Sequence, residues 1–118
     1  MPDAALFIGW GPAVRGREKQ ALQVFDEVVA YYTRLQQSGE ITSFEPVALE
    51  PHGGDLDGFL LIHGDRDRLA RLRTSEEFLR LNIRGSLVVD RLGVVTAWVG
   101  DELRKQFADF GEQAGTLG

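Results

Sequence analysis

Ala5-Leu6-Phe7-Ile8-Gly9-Trp10 and Val94-Val95-Thr96-Ala97-Trp98-Val99 decide the fold. Each run has the length of a strand and is apolar at odd and even positions alike, so both faces of the strand are apolar. Gly11-Pro12 stops the first run with a turn signal. A helical stripe follows, with Ala21, Leu22, Val24, Phe25, Val28, Val29, Tyr32 and Leu35 at spacings of three and four. This predicts a helix over Arg17 to Gln37, ended at Ser38-Gly39 because glycine suits a left-handed C-cap. Ile41 to Leu49 reads as a second strand. Pro46 within it lacks an N–H for a ladder hydrogen bond, which predicts an edge or bulged strand. After the loop Glu50-Pro51-His52-Gly53-Gly54-Asp55, Gly58 to His63 is the third strand.

Asp65-Arg66-Asp67 opens a short helix through Leu72. Thr74-Ser75-Glu76-Glu77 reads as a capping box, with the Thr74 hydroxyl as N-cap and Glu77 reaching back. The helix it starts is expected to reach Asp90, carrying Phe78, Leu81, Gly85 and Val88 on one line and Leu79, Ile83 and Leu87 on another. A terminal helix opens at Gly100-Asp101-Glu102. Its Leu103, Phe107 and Phe110 form a narrow apolar stripe, and fraying is expected after Gly111. The order is β-α-β-β-α-β with a tail: an α+β domain over residues 1–118, with a four-stranded antiparallel sheet, helices on one face and an extra C-terminal helix.

Right-handed crossovers place both connecting helices on one side of such a sheet. A sheet with one wet face alternates apolar with polar residues, and these strands do not. Trp10, Phe59 and Trp98 are expected on the uncovered face, where several hundred Å² of apolar surface would meet water. A second copy packed sheet to sheet covers that surface. The terminal helix, with its narrow stripe, would cover only part of it.

Composition sets limits. The 118 residues suffice for one core, with 43% hydrophobic and 26% charged residues, as in ordinary globular domains. No apolar run approaches the ~20 residues of a membrane span, and Met1-Pro2-Asp3-Ala4 lacks the basic start of a secretory signal. The expectation is a cytoplasmic protein without a membrane partner. There is no cysteine, so disulfides, thiol nucleophiles and thiolate metal sites are excluded. A net charge of −5 argues against nucleic acid as a partner. Charge is segregated, however. Among charged residues, Glu40 to Asp65 holds only acids, whereas Arg66 to Arg91 holds seven arginines, read as a solvated helix face with alternating charges or as an anion-facing or partner-facing strip.

The element order, the two-sided strands, and Arg73-Thr74-Ser75-Glu76-Glu77-Phe78 leading to Leu92-Gly93-Val94-Val95 resemble the dimeric α/β-barrel superfamily of ferredoxin-like chains. The resemblance implies sheet-to-sheet pairing. Its members include antibiotic-biosynthesis-type monooxygenases, haem-degrading enzymes, isomerase-like proteins and stress-responsive barrels, so it implies no single reaction.

Candidate ligand contacts follow from position and chemistry. His63 shares a strand face with Phe59 and Leu61, and a neutral imidazole there can donate a hydrogen bond or move a proton. Trp10 and Trp98 suit the walls of a site for a flat ligand. Asn82 and Arg84, in the middle of the second long helix, suit its rim. His52 reads as a solvent-exposed loop residue. Gly9-Trp10-Gly11 lacks the third glycine of a dinucleotide loop, no phosphate loop is present, and a lone histidine is poor evidence for a metal. No cofactor or metal is expected. Three functions are consistent with this pattern: a homodimer binding an apolar or aromatic small molecule between sheet and helices, a cofactor-independent monooxygenase or isomerase using His63 and the tryptophans, and a structural or protein-interaction module with a filled barrel.

Overall fold

The computed structural model describes residues 3–118. Its strands are β1 (Asp3–Trp10), β2 (Ser43–Ala48), β3 (Gly58–Asp65) and β4 (Gly93–Ala97), and its helices are α1 (Glu18–Ser38), α2 (Arg66–Leu72), α3 (Glu76–Ser86) and α4 (Gly100–Thr116). The sheet order is β2-β3-β1-β4, and every pairing is antiparallel. This is the ferredoxin-like arrangement. Pro46 lies on edge strand β2, where its missing N–H breaks no central ladder.

Register divides the side chains between two faces. Leu6 lies opposite Ile62 and Thr96, and Ile8 opposite Leu60 and Val94. These residues face the helices. Leu6, Ile8, Leu60 and Ile62 are buried with Tyr31 and Tyr32 of α1, Leu69 of α2 and Phe78 of α3. On the other face, Phe7 lies between Leu61 and Val95, Ala5 between His63 and Ala97, and Gly9 opposite Phe59. The Phe7 and Phe59 rings stack at 5.2 Å. Leu56 reaches the Gly9 end of this face, whereas Val95 is 55% exposed.

The two-sided reading of the strands is therefore correct, but its tryptophans are misplaced. Trp10 pairs with Gly58, one step on from Gly9 and Phe59, so its ring turns towards the helices. Trp98 lies beyond the end of β4. The uncovered face is built from Phe7, Phe59, Leu61 and Val95 instead.

Local signals explain most helix ends. Gly39 adopts φ 82°, and the N–H groups of Gly39 and Glu40 close on the carbonyls of Gln36 and Leu35. Asp65 caps α2 by accepting from the Arg68 N–H at 3.2 Å. At α3 the cap is Ser75, not Thr74. Ser75 Oγ accepts from the Phe78 N–H, while the Thr74 hydroxyl donates back to the Arg71 carbonyl. Ser75 takes the role because it is the first residue to turn extended after α2, with ψ 147°. Ser75→Ala is accordingly expected to cost about 1 kcal/mol, and Thr74→Ala a fraction of that. Urea midpoints of the two variants test the assignment.

Two further boundaries differ from the sequence pattern. Helix α3 stops at Ser86 rather than Asp90 because the β-branched Val88-Val89 pair is drawn towards the first loop. Val89 bridges Ala13, the Gly11 N–H donates to the Asp90 carbonyl, and the Asp90 N–H to that of Pro12. Tertiary hydrogen bonds thus replace the last helical turn. In contrast, α4 continues through Gly111 to Thr116. It carries no buried residue, and Phe107 and Phe110 are 69% and 76% exposed. It does not cover the sheet of its own chain.

Tyr31 and Tyr32 are both buried, although adjacent residues on a helix diverge by about 100°. Each faces a different neighbour. The Tyr32 ring lies 5.8 Å from Phe44 on β2, whereas the Tyr31 ring lies under the Arg34 guanidinium, 5.6 Å from its centroid. Tyr31 thus belongs to the core although it falls outside the three-and-four spacing of the stripe. Burial pushes both phenols above their ordinary pKa.

Candidate functional site

A cavity of about 300 Å³ lies between the helix-facing side of the sheet and the α1 and α3 helices. Ile8 and Leu60 form its floor, Val24 and Val28 of α1 one wall, and Leu81 and Gly85 of α3 the other. Trp10 lies at one end, its ring 6.0 Å from Phe25 in an edge-to-face arrangement. Gly58 makes this placement possible: a Cβ there would lie 2.6 Å from Trp10 Cζ2 and 2.7 Å from the Val47 carbonyl oxygen. The third strand must begin with glycine for the indole to lie against the sheet.

The lining is overwhelmingly apolar. Its polar side chains are Trp10, Tyr32, Asp57 and Asn82. Asp57 is exposed at the mouth, and its N–H donates to the Trp10 carbonyl at 2.8 Å. Asn82 is half-buried one turn after Phe78, on the inward side of α3. Phe78 anchors the helix in the core, and Asn82 therefore presents its carboxamide to the cavity. Such a group donates and accepts at once, which suits a ligand carbonyl or hydroxyl. A few polar groups in an apolar hollow are the usual composition of a small-molecule site.

The six residues singled out from sequence fall in four places. Trp10 and Asn82 meet in this cavity. Phe59 and His63 lie on the opposite face of the sheet, with Gly9 and Ala5 as their β1 partners. His63 Nδ1 is 3.9 Å from Asp3 Oδ2, too far for a hydrogen bond. Trp98 borders a second hollow of about 280 Å³ with Leu6, Leu69, Arg73 and Thr96, near the Arg66–Glu102 ion pair at 3.1 Å. Arg84 grips Glu27 through Nε at 2.8 Å and through a second nitrogen at 2.7 Å, joining α3 to α1 outside the cavity. That bidentate contact raises its already high pKa.

The separation has a simple cause. Strand alternation sends Trp10 and His63 to different sides of the sheet, and a sequence shows alternation within a strand but not the register between strands. Val24, Val28 and Tyr32 were visible as a core stripe; that the core stays open beside them was not. Much of the arginine strip is engaged within the chain. Arg66, Arg80, Arg84 and Arg91 form ion pairs with Glu102, Glu76, Glu27 and Asp55, and Arg68 donates to the Gly39 carbonyl. His52 closes its own loop, accepting from the Gly54 N–H and lying 2.7 Å from the Leu56 carbonyl.

Among the described residues, no helix is long and apolar enough to cross a membrane, and no cluster of His, Asp and Glu is arranged to hold a metal ion. The fold and the cavity define a ferredoxin-like chain with a hollow between sheet and helices, and solved structures share this architecture. One is a dimeric ferredoxin-like protein from Bacteroides fragilis, with TM-score 0.60, 11% identity, and 80% of this chain matched to 94% of that one. Another, from Jannaschia sp., is also a dimeric ferredoxin-like protein, with TM-score 0.60, 12% identity and coverage of 81% and 96%. SnoaB, a cofactor-independent oxygenase from Streptomyces nogalater, has TM-score 0.53, 17% identity and coverage of 85% and 98%. At these identities the likeness is one of fold. No protein-family model matches the sequence, and no curated protein is significantly similar to it.

Proposed function

We propose that this chain is a cytoplasmic homodimer, paired sheet to sheet, in which each subunit binds an apolar or aromatic small molecule between the sheet and helices α1 and α3. The observation that carries the reading is the 300 Å³ apolar cavity with Trp10 at one end and the Asn82 carboxamide at its wall. Its volume is at the lower end for small-molecule sites, about 300–1,000 Å³, and fits a ligand of two or three rings. The dimeric state of the Bacteroides and Jannaschia proteins supports pairing through the open sheet.

The test uses an uncharged fluorescent probe, N-phenyl-1-naphthylamine. Binding is expected to quench Trp10 fluorescence, with micromolar affinity. Ala21→Phe, which fills the cavity from α1, is expected to weaken the probe at least tenfold while leaving the melting temperature within a few degrees. Equal binding to both proteins would place the probe elsewhere and reject the site.

A second reading, a cofactor-independent oxygenase or isomerase, draws on the fold shared with SnoaB and on Trp10 and Asn82 meeting in one cavity. It differs from the first in requiring turnover. Dioxygen uptake with an aromatic substrate, abolished by Asn82→Ala, would favour it over simple binding.

A further inference from the structure

The second hollow, of about 280 Å³, is bounded by α2, the helix-facing side of edge strand β4 and the start of α4. Thr96 belongs to that side because it pairs with buried Leu6, and Trp98 follows two residues on. Arg66, Ala70 and Arg73 come from α2 and its C-cap at spacings of four and three, so one line of the helix borders the hollow. The small Ala70 leaves room between the two arginines. The ionisable lining residues are Arg66, Arg73 and Glu102, which gives one positive charge in excess. Gln106 donates to one Glu102 oxygen at 3.1 Å and Arg66 to the other at 3.1 Å, and both contacts hold that carboxyl below its usual range. The excess charge is therefore that of Arg73.

Arg73 differs from the rest of the arginine strip. Arg66, Arg80, Arg84 and Arg91 are ion-paired and Arg71 is exposed, whereas Arg73 is half-buried and, among the described residues, has no acid partner. Its hydrogen bond to the Val94 carbonyl is long, at 3.4 Å, and occupies one of the five N–H donors of a guanidinium. We infer that this hollow is a ligand site of its own, taking a small aromatic carboxylate. The Arg73 fork receives the carboxylate, and the flat ring lies against the Trp98 indole beside Thr96. Burial has stripped Arg73 of part of its hydration, and a carboxylate replaces it with charge-assisted hydrogen bonds. Trp98 is 51% exposed, and its apolar face selects an aromatic acid over an inorganic anion. The two hollows thus sort ligands by charge, because no arginine or lysine lines the cavity between sheet, α1 and α3.

The probe is 2-naphthoate, titrated into the protein in a calorimeter. One molecule is expected to bind per chain, and Arg73→Gln to weaken it at least tenfold. Uncharged 2-naphthamide and inorganic phosphate are each expected to bind the unaltered protein at least tenfold more weakly, since one lacks the charge and the other the ring. Ala21→Phe, which fills the first cavity, is expected to leave naphthoate binding unchanged. Ala70→Glu guards against a folding defect in Arg73→Gln. It keeps Arg73 and places a carboxylate three residues before it, so it is expected to block the probe at an undiminished melting temperature. Binding that survives either Arg73→Gln or Ala70→Glu would overturn the inference. So would binding lost in Ala21→Phe, equal binding of the naphthamide or of phosphate, or no binding by the unaltered protein.

Discussion

Val95→Glu is expected to separate the sheet-paired subunits at micromolar concentration while leaving the fold of each intact. Val95 is 55% exposed within the chain, so the substitution removes little packing there. In a pair joined through the open face it lies beside Phe7, in the row that continues across β1 to Leu61. A carboxylate at that position is desolvated without a partner, at a cost of about 3–5 kcal/mol, which weakens association by roughly 10²–10³-fold or more. Two symmetry-related copies double the effect, since each subunit brings its own Glu. Sedimentation across a dilution series measures the shift, and circular dichroism reports whether each subunit keeps its secondary structure. A particle mass equal to that of the wild type would show that the open sheet is not an interface.

Phe78→Ala is the largest expected loss of stability, about 3–5 kcal/mol. Phe78 is buried in the cluster formed by β1, β3, α1 and α2, and it is the one fully buried side chain of α3. Its ring fixes the helix that supplies Leu81, Asn82 and Gly85 to the cavity wall. The melting temperature is expected to fall by about 10 °C or more, and probe binding to weaken at temperatures where the variant is still folded. Leu79→Ala, one residue on but exposed, serves as the control and is expected to change the melting temperature of the subunit little. Comparable losses in the two variants would mean that α3 is not anchored through Phe78.

How much of this was legible in sequence depends on the range of the interaction. Elements fixed by local chemistry were readable to within a residue or two: the α1 stripe and its Gly39 cap, the proline on edge strand β2, the helix opened by Asp65. The cap of α3 was assigned one residue early because Thr74 and Ser75 offer the same hydroxyl. Only the backbone angle at Ser75, set by the turn out of α2, separates them. The end of α3 was misplaced for a different reason. Val88 and Val89 continue a helical stripe in sequence, but the backbone of Gly11, Pro12 and Ala13 competes for their hydrogen bonds from about 75 residues away.

The candidate site shows the same division. Trp10 and Asn82 were singled out as aromatic wall and pocket rim, and the structure brings them to one cavity. His63, Phe59, Trp98 and Arg84 were grouped with them, and the structure distributes them over the other sheet face, a second hollow and an interhelical ion pair. By itself the sequence determined the element order, the antiparallel α+β class and the surplus of apolar strand surface that calls for a partner, because periodicity and turn chemistry act over a few residues. Tertiary structure alone decided which apolar residues share a face, where the core stays open and which helix stripes remain bare. Those outcomes depend on strand register and on contacts between segments far apart in the chain, which no local pattern encodes.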